Sequence, residues 1–400
     1  MNKRTIVLLA ITGIFLRLLF SSLTPPFQTP DEYAHFSYIK HIHLEKSLPI
    51  AQDAKEGNEF FQPPAYYFLS GLIPVWGNEI SQLQILRLAS IFLWLIAFYY
   101  TYKILLILKI PKTYFLPILM FSSFLPTYIV NSSTVTDDAL ATPLAIITFF
   151  WFCKFLIEKH PLTAKKLILL SFFTALGILT KLNCFSFIPA GVAVIFFLQK
   201  GFNRGFFVKT GAYLFLVSIL AGWWFIYNIF AFNDWIGPID ISSAAFTKVP
   251  FSLIKVFLIA RGSFATFWVA YGPNYEIRLS IIIYVLLFLI TTLASFGFLI
   301  YLKRIIKDKT KTVVQNQYLS IFLLSFLTNL ILVLILNISQ FQPLGRYLFI
   351  SLLPISLFFT TGIFTILPGK LKRFIPLAIL ILFIGLNILG AFSLLKYYAF

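Results

Sequence analysis

Charge is scarce in this 400-residue chain. Asp, Glu, Lys and Arg make up 12% of it, about half of the roughly 25% that an ordinary soluble domain carries. That is too little to clothe two or three water-facing domains. Cysteine is scarcer still. Cys153 and Cys184 both sit inside apolar runs, which excludes a disulfide framework and a cysteine zinc site. No Gly-rich phosphate-binding loop, low-complexity tract or obvious internal repeat interrupts the sequence. What fills it is apolar: 59% of residues, with a mean hydropathy of +0.89. Runs of about 20 such residues recur from end to end, as membrane-spanning helices require. The expectation is an all-α integral membrane protein.

Hydropathy places eleven spans near 5–23, 85–108, 114–130, 139–157, 166–180, 184–199, 207–231, 278–301, 316–337, 347–367 and 374–395. The first follows basic Lys3 and Arg4 but lacks a small-residue cleavage site, so it reads as a retained span. Acids are outnumbered 14 to 32, a net charge of +18 that would ordinarily raise nucleic acid as a partner. Topology absorbs it. With a cytoplasmic N-terminus the inner loops hold twenty bases, among them Lys103, Lys109, Lys159, Lys303, Lys309 and Lys311, against two acids, Glu158 and Asp308. Outside, twelve bases meet twelve acids. This is the positive-inside pattern; no nucleic acid is needed to explain the charge. The expected location is the plasma (inner) membrane, multi-pass, with the chemistry on the extracytoplasmic side.

Residues 251–271 are apolar enough to span but carry Lys255 and Arg261. A crossing there would invert every later loop, so the expectation is an interfacial or re-entrant helix within an outer loop over 232–277. The other large outer loop, 24–84, holds seven of the fourteen acids and three of the four histidines. The chain is thus expected to be one polytopic domain with its polar chemistry in those two loops.

In the first loop, Thr29-Pro30-Asp31-Glu32 reads as a helix start, with Thr29 as N-cap, Pro30 at the first helical position and Glu32 completing a capping box. A helix over 31–46 follows. The two acids serve the helix dipole, or Asp31 is a general base held on a rigid helix start just above the membrane. His35, one turn on, can touch Asp31 and orient it. Next, Phe61-Gln62-Pro63-Pro64-Ala65-Tyr66-Tyr67 opens a second apolar helix to about Trp76, whose aromatics suit the headgroup layer. Asp137 and Asp138 sit between spans three and four, where capping span four would also explain them. Lys181 ends span five and Arg346-Tyr347 opens span ten. Bases on the outer side run against the topological bias, so they either snorkel or have a partner: an acid such as Asp137, a lipid headgroup, or the phosphate of a lipid-linked substrate. A divalent metal is possible, since Asp31, Glu32, His35, His41 and His43 could ligate one, but no metal-specific spacing is present.

Pro25-Pro26-Phe27-Gln28, Pro30-Asp31-Glu32 and His35-Phe36 resemble the opening signature of domain-of-unknown-function family 2142. Gln62-Pro63-Pro64-Ala65-Tyr66-Tyr67 and Gly345-Arg346-Tyr347-Leu348 resemble its later landmarks. That family looks like part of the GT-C glycosyltransferase superfamily. The resemblance implies inverting transfer of a sugar from a polyprenyl-phosphate donor to an acceptor at the outer face. Asp31 would be the base and Glu32 its partner; His35 joins them as a catalytic candidate by its spacing from Asp31, apart from the resemblance. Arg346, with Lys181, would hold the phosphate, and Gln62, Tyr66, Asp137, Asp138 and Tyr347 stand beside them as substrate-binding candidates. The sequence departs from many relatives in ending at its last span without a soluble C-terminal domain, which would leave acceptor recognition to the two outer loops. The alternatives are a flippase or transporter of lipid-linked sugars and a cell-surface polysaccharide ligase or polymerase. Against a transporter, the ionisable residues crowd the span ends, Arg17 being the main exception, and no paired broken helices appear.

Overall fold

The computed structural model describes residues 3–53, 59–74, 77–158, 161–236, 252–307 and 313–399. Trp76, Lys159, Asp308, Lys309, Lys311 and residues 237–251 of the second outer loop lie outside the described residues. Helices run α1 Lys3–Leu23, α2 Glu32–Glu45, α3 Ala65–Gly71, α4 Glu79–Ile107, α5 Lys112–Phe124, α6 Pro126–Asn131, α7 Asp138–Glu158 and α8 Ala164–Ile178. They continue as α9 Phe187–Gln199, α10 Arg204–Phe232, α11 Leu253–Trp268, α12 Ile281–Lys307, α13 Val313–Ser339, α14 Leu352–Ile366, α15 Gly369–Lys372 and α16 Ile375–Tyr398. Short 3₁₀ segments, Leu182–Ser186 and Gly345–Ser351, lead into α9 and α14.

This is a multi-pass membrane protein. Among the described residues, nine helices are long and apolar enough to cross a bilayer, counting the two 3₁₀ lead-ins with α9 and α14. The other two expected spans are helical but shorter. The 114–130 segment breaks at Leu125, which is extended (φ −62°, ψ 121°) because Pro126 starts α6 and disfavours a helical residue before it. The 166–180 segment is the 15-residue α8. The second expected span, 85–108, is α4, which begins six residues before the expected start because Asn78 caps it, accepting from the Ser81 amide and hydroxyl.

Helices rich in apolar residues all round need both a packed interior and an apolar surround. The interior here is aromatic, with Trp94, Phe121, Phe149, Trp268 and Phe349 buried. The exposed large side chains, such as Phe92, Phe215, Phe230, Ile381 and Phe392, form the outer surface. Helices α12 and α14 cross closely, since a Cβ at Gly297 or Gly362 would run into the other helix's backbone.

Helix α11 is 16 residues long, capped by Ser252, and ends in a two-strand antiparallel turn, β1 Ala270–Tyr271 with β2 Ile277–Arg278. It packs against the 345–351 segment. The Gly345 amide donates to the Thr266 hydroxyl at 2.7 Å, and any side chain at Gly345 would meet the backbone of Ser263 and Phe267. That close approach explains the glycine in Gly345-Arg346-Tyr347.

Charged residues lie near both ends of α4. Lys109 meets Tyr114, Tyr301 and Tyr318 around a cavity of about 220 Å³ at one end. Asp31, Asp137, Lys181 and Arg346 meet at the other.

Candidate active site

Helix α2 begins differently from its sequence signature. Asp31, not Thr29, is the residue before the first helical turn, and its backbone is left-handed at φ 60°, ψ 5°. Its carboxylate caps nothing. The Thr29 hydroxyl is buried without a hydrogen-bond partner among the described residues. A left-handed Asp costs about 1–3 kcal/mol and persists only where its surroundings impose it. Two neighbours impose it here. Phe27 is left-handed as well (φ 61°), and Glu32, the next residue, is locked in place.

The capping box fails because Glu32 has stronger partners. Its carboxylate is 0% exposed and accepts two bonds from Arg87, from Nε at 2.9 Å and Nη2 at 2.7 Å. It also accepts from the Phe27 amide at 3.1 Å and the Val135 amide at 3.1 Å. Bidentate Arg–carboxylate pairs are among the strongest hydrogen bonds a buried carboxylate can make. Arg87, 1% exposed, further donates to the carbonyls of Ser21, Thr24 and Pro25. Glu32 and Arg87 thus tie the end of α1, the proline-rich approach, the start of α2 and the turn before Asp137 into one knot. Glu32 is a strut here, with both oxygens engaged. Sequence reasoning overlooked Arg87; a charge inside an apolar run was the signal that could have found it.

Asp31 is free of that knot. Its side chain is 35% exposed and its partner is the Nη2 of Arg346, 8% exposed and 315 residues away in sequence. Arg346 therefore pairs with Asp31; of the acids near it, Asp137 is taken by Lys181. The Lys181 ammonium sits 2.9 Å from Asp137 and 2.8 Å from Asp138, all three buried. Both cations flank one aromatic face: Lys181 Nζ lies 5.6 Å and Arg346 Cζ 5.7 Å from the Tyr347 ring centre. The Tyr347 hydroxyl is held by the Gln342 side chain, and the Tyr275 ring lies 6.0 Å from Arg346 Cζ.

His35 turns away from Asp31's carboxylate. Its Nδ1 is 2.8 Å from the Tyr67 hydroxyl, and its Nε2 is 3.5 Å from Thr136 Oγ1 and 3.8 Å from Glu59. Tyr66 and Tyr67 are both buried, and Tyr67 stacks on Tyr38 at 3.8 Å, so they are site-wall residues and not headgroup anchors. Their helix α3 ends at Gly71, well short of Trp76, because Pro74 follows and cannot continue a helix, and Gly71 itself packs directly on Ile42 of α2. The carbonyl of Leu179 accepts from the Ala65 amide at 2.8 Å, which seats α3 beside Lys181. Gln62 contributes its backbone carbonyl to Tyr38 at 3.5 Å. Glu59 was not anticipated; nothing in its loop sequence marks it.

The electrostatics separate these groups. Burial pushes the Asp31 carboxyl up, but the Arg346 guanidinium and His35 outweigh it and hold it below its ordinary value. Burial likewise pushes Asp137 up, and Lys181 brings it down below its usual range. Glu59, desolvated and next to the Asp31 charge, is pushed up to about 8. Burial lowers His35 despite Asp137 and Asp31. At neutral pH the 3.8 Å contact between His35 and Glu59 therefore joins two neutral groups. Among the described residues, no three His, Cys, Asp or Glu side chains gather as a metal site. The arrangement offers one accessible ionised carboxylate facing a guanidinium, with a second, acid-held cation close by.

No family model matches the chain, so its motif likeness to domain-of-unknown-function family 2142 stays at the level of those residues. No curated protein matches it in sequence. Among solved structures, its fold is similar to the crystal structure of ArnT from Cupriavidus metallidurans bound to undecaprenyl phosphate, with a TM-score of 0.51 and 13% identity. The match covers 95% of this chain and 64% of that one, so the chain spans less than two thirds of that structure's length. At this identity the likeness is one of fold alone.

Proposed function

We propose that this membrane protein is a glycosyltransferase that moves a sugar from a polyprenyl-phosphate carrier to an acceptor, with inversion and with Asp31 as general base. The observation that carries the reading is the pairing of a one-third exposed carboxylate, Asp31, with the buried guanidinium of Arg346, beside the Lys181–Asp137–Asp138 cluster. A base must reach its substrate, and a leaving phosphate needs fixed positive charge. Both needs meet at one spot. A GT-C-like fold, shared with a protein that holds undecaprenyl phosphate, supports a polyprenyl phosphate as the carrier.

In the proposed cycle the donor phosphate draws Arg346 away from Asp31 and rests on Arg346 and Lys181. Released from the guanidinium, the Asp31 carboxylate becomes a stronger base. It takes the proton of an acceptor hydroxyl as that oxygen attacks the anomeric carbon from the face opposite the phosphate. The new C–O bond forms as the bond to the phosphate oxygen breaks, and the carrier leaves as polyprenyl phosphate with the electron pair. Glu32 acts through Arg87 as a positioning residue for Asp31. Asp137 and Asp138 fix Lys181, while Tyr66, Tyr347 and Gln62 wall the sugar site around His35. We place this end of the bundle on the extracytoplasmic side of the plasma (inner) membrane. The N-terminus is then cytoplasmic, α11 interfacial, and loops 24–84 and 232–277 meet the acceptor.

The test is sugar release from a panel of polyprenyl-phosphate sugars by purified protein in detergent, wild type beside Asp31→Asn. Release by wild type that collapses in the variant, with folding intact, is the expected result. Transbilayer movement of those lipids in vesicles, with no sugar released from any of them, would replace the transferase by a carrier.

A further inference from the structure

Lys181 and Arg346 come from distant parts of the chain; Lys181 directly precedes the 3₁₀ segment Leu182–Ser186, and Arg346 lies within the 3₁₀ segment Gly345–Ser351. Such segments leave backbone carbonyls without the regular helical partner. One of them, the carbonyl of Tyr347, is taken up by side chains. Asn183 Nδ2 donates to it at 3.1 Å and to Asn329 Oδ1 at 3.2 Å. Asn329 Nδ2, on α13, donates to the same carbonyl at 3.2 Å and to Ser351 Oγ at 3.1 Å. Every N–H of the two amides is used. Asn329 and Ser351 are wholly buried in a bundle built to lie in lipid, where polar side chains are expensive to keep.

We infer that Asn183 and Asn329 are positioning residues that fix the spacing of Lys181 and Arg346, and through it the protein's affinity for a lipid-borne phosphate. The inference rests on reading those two cations as the phosphate site. Its physical basis is leverage. Asn183 lies two residues from Lys181, and the carbonyl it holds belongs to the residue after Arg346. The ring of that same residue, Tyr347, faces both cations. Elsewhere the side chains and amide of the Arg346 segment bond to Thr266 of α11, to Asp31 and to Gln342, none of which belongs to the Lys181 segment. The amide clamp is the one connection, among those described, that joins the two 3₁₀ segments by side-chain hydrogen bonds.

A glue that merely held helices together would matter equally for any ligand; a clamp on the cations matters for phosphate alone. The test compares binding of undecaprenyl phosphate and of undecaprenol to the purified full chain in nanodiscs, for wild type and Asn329→Leu. Leu keeps the branched shape and the number of side-chain heavy atoms and removes three of the four bonds. The expected result is a roughly tenfold weaker grip on undecaprenyl phosphate, about 1.4 kcal/mol, with undecaprenol binding unchanged. Equal weakening for both lipids, or no weakening for either, overturns the inference. If Asn329→Leu does not fold, Asn183→Ala at the half-buried end removes two of the bonds and is judged by the same comparison. A wild type that binds the two lipids alike would instead sink the phosphate site itself, and the clamp with it. A wild type that prefers the phosphate, beside an Asn329→Leu that prefers it as strongly, sinks the clamp alone.

Discussion

Asp31 and Glu32 are consecutive carboxylates on the same turn, and the structure gives them opposite surroundings. Glu32 is sealed from solvent and accepts four N–H bonds from Arg87, Phe27 and Val135. Asp31 is one-third exposed and has a single cationic partner. The contrast teaches what separates a strut from a reactive group. Residue type, neighbours and even an arginine partner are shared. What differs is whether an oxygen is left for a substrate to reach. A carboxylate with every lone-pair direction filled by fixed donors has no way to take a proton without breaking a buried ion pair.

The sharpest way to break the comparison is to neutralise each member. Asp31→Asn is expected to lower turnover by about 10²–10⁴-fold, the usual worth of a general base, while the thermal transition in detergent stays within a few degrees. Glu32→Gln and Arg87→Met should do the reverse. Removing one partner of a buried pair costs about 3–5 kcal/mol, so a large fall in the transition temperature and in folded yield is expected. Turnover per folded molecule falls less than in Asp31→Asn. Equal turnover losses in Asp31→Asn and Glu32→Gln, at equal stability, would erase the distinction.

A second prediction sharpens it through pH. Asp31 is held below the ordinary carboxylate range by Arg346 in the resting protein. A depressed folded-state pKa contributes stability that is present above the unfolded value and lost as pH falls through the folded one. The Asp31–Arg346 pair should therefore stabilise at neutral pH and give way only on acidification below the usual carboxylate range. Arg346→Gln removes that acid-dependent component and shifts the acidic limb of kcat/KM to higher pH, because Asp31 then protonates more easily. It also weakens donor binding. An acidic limb that does not move in Arg346→Gln would show that Asp31 does not set it.

Much of the site was legible in sequence because topology made certain charges conspicuous. With the N-terminus inside, as the charge pattern leads one to expect, Lys181 and Arg346 fall at span ends where the positive-inside bias disfavours them, and Asp31, Asp137 and Asp138 fall in the facing loops. All five converge. Partner choice was not legible: nothing in spacing says that Arg346 meets Asp31 while Lys181 takes both Asp137 and Asp138. The Thr29 cap failed because a local signature lost to a buried ion pair with Arg87, 55 residues on. Tyr66 and Tyr67 misled for a different reason. An aromatic ring with a hydroxyl suits either a headgroup layer or a buried polar wall, and only packing on α2 and His35 decides between them. The broken third span follows from Pro126, a residue whose effect hydropathy averages away.

The smallest expected effect lies at the other end of the bundle, and it tests whether the contrast is about charge or about place. Lys109 lines the 220 Å³ cavity there with Tyr114, Tyr301 and Tyr318, yet its side chain is exposed and it lies past the far end of α4 from Arg87, about 30 Å away at a helical rise of about 1.5 Å per residue. Together with Lys303 it belongs to the basic set that the sequence leads one to expect in the inner loops. Exposed charges more than a Debye length apart, about 8 Å at physiological salt, barely feel one another. Lys109→Gln and Lys303→Gln should therefore change turnover by less than about twofold, within the range of surface substitutions away from special features. The effect should show instead in the fraction of chains inserted with the N-terminus inside, read by protease accessibility of a terminal tag. If either substitution cut turnover as Arg346→Gln does, with insertion unchanged, the basic end would take part in the chemistry. The division between a charge that orients the protein and a charge that works would then fall.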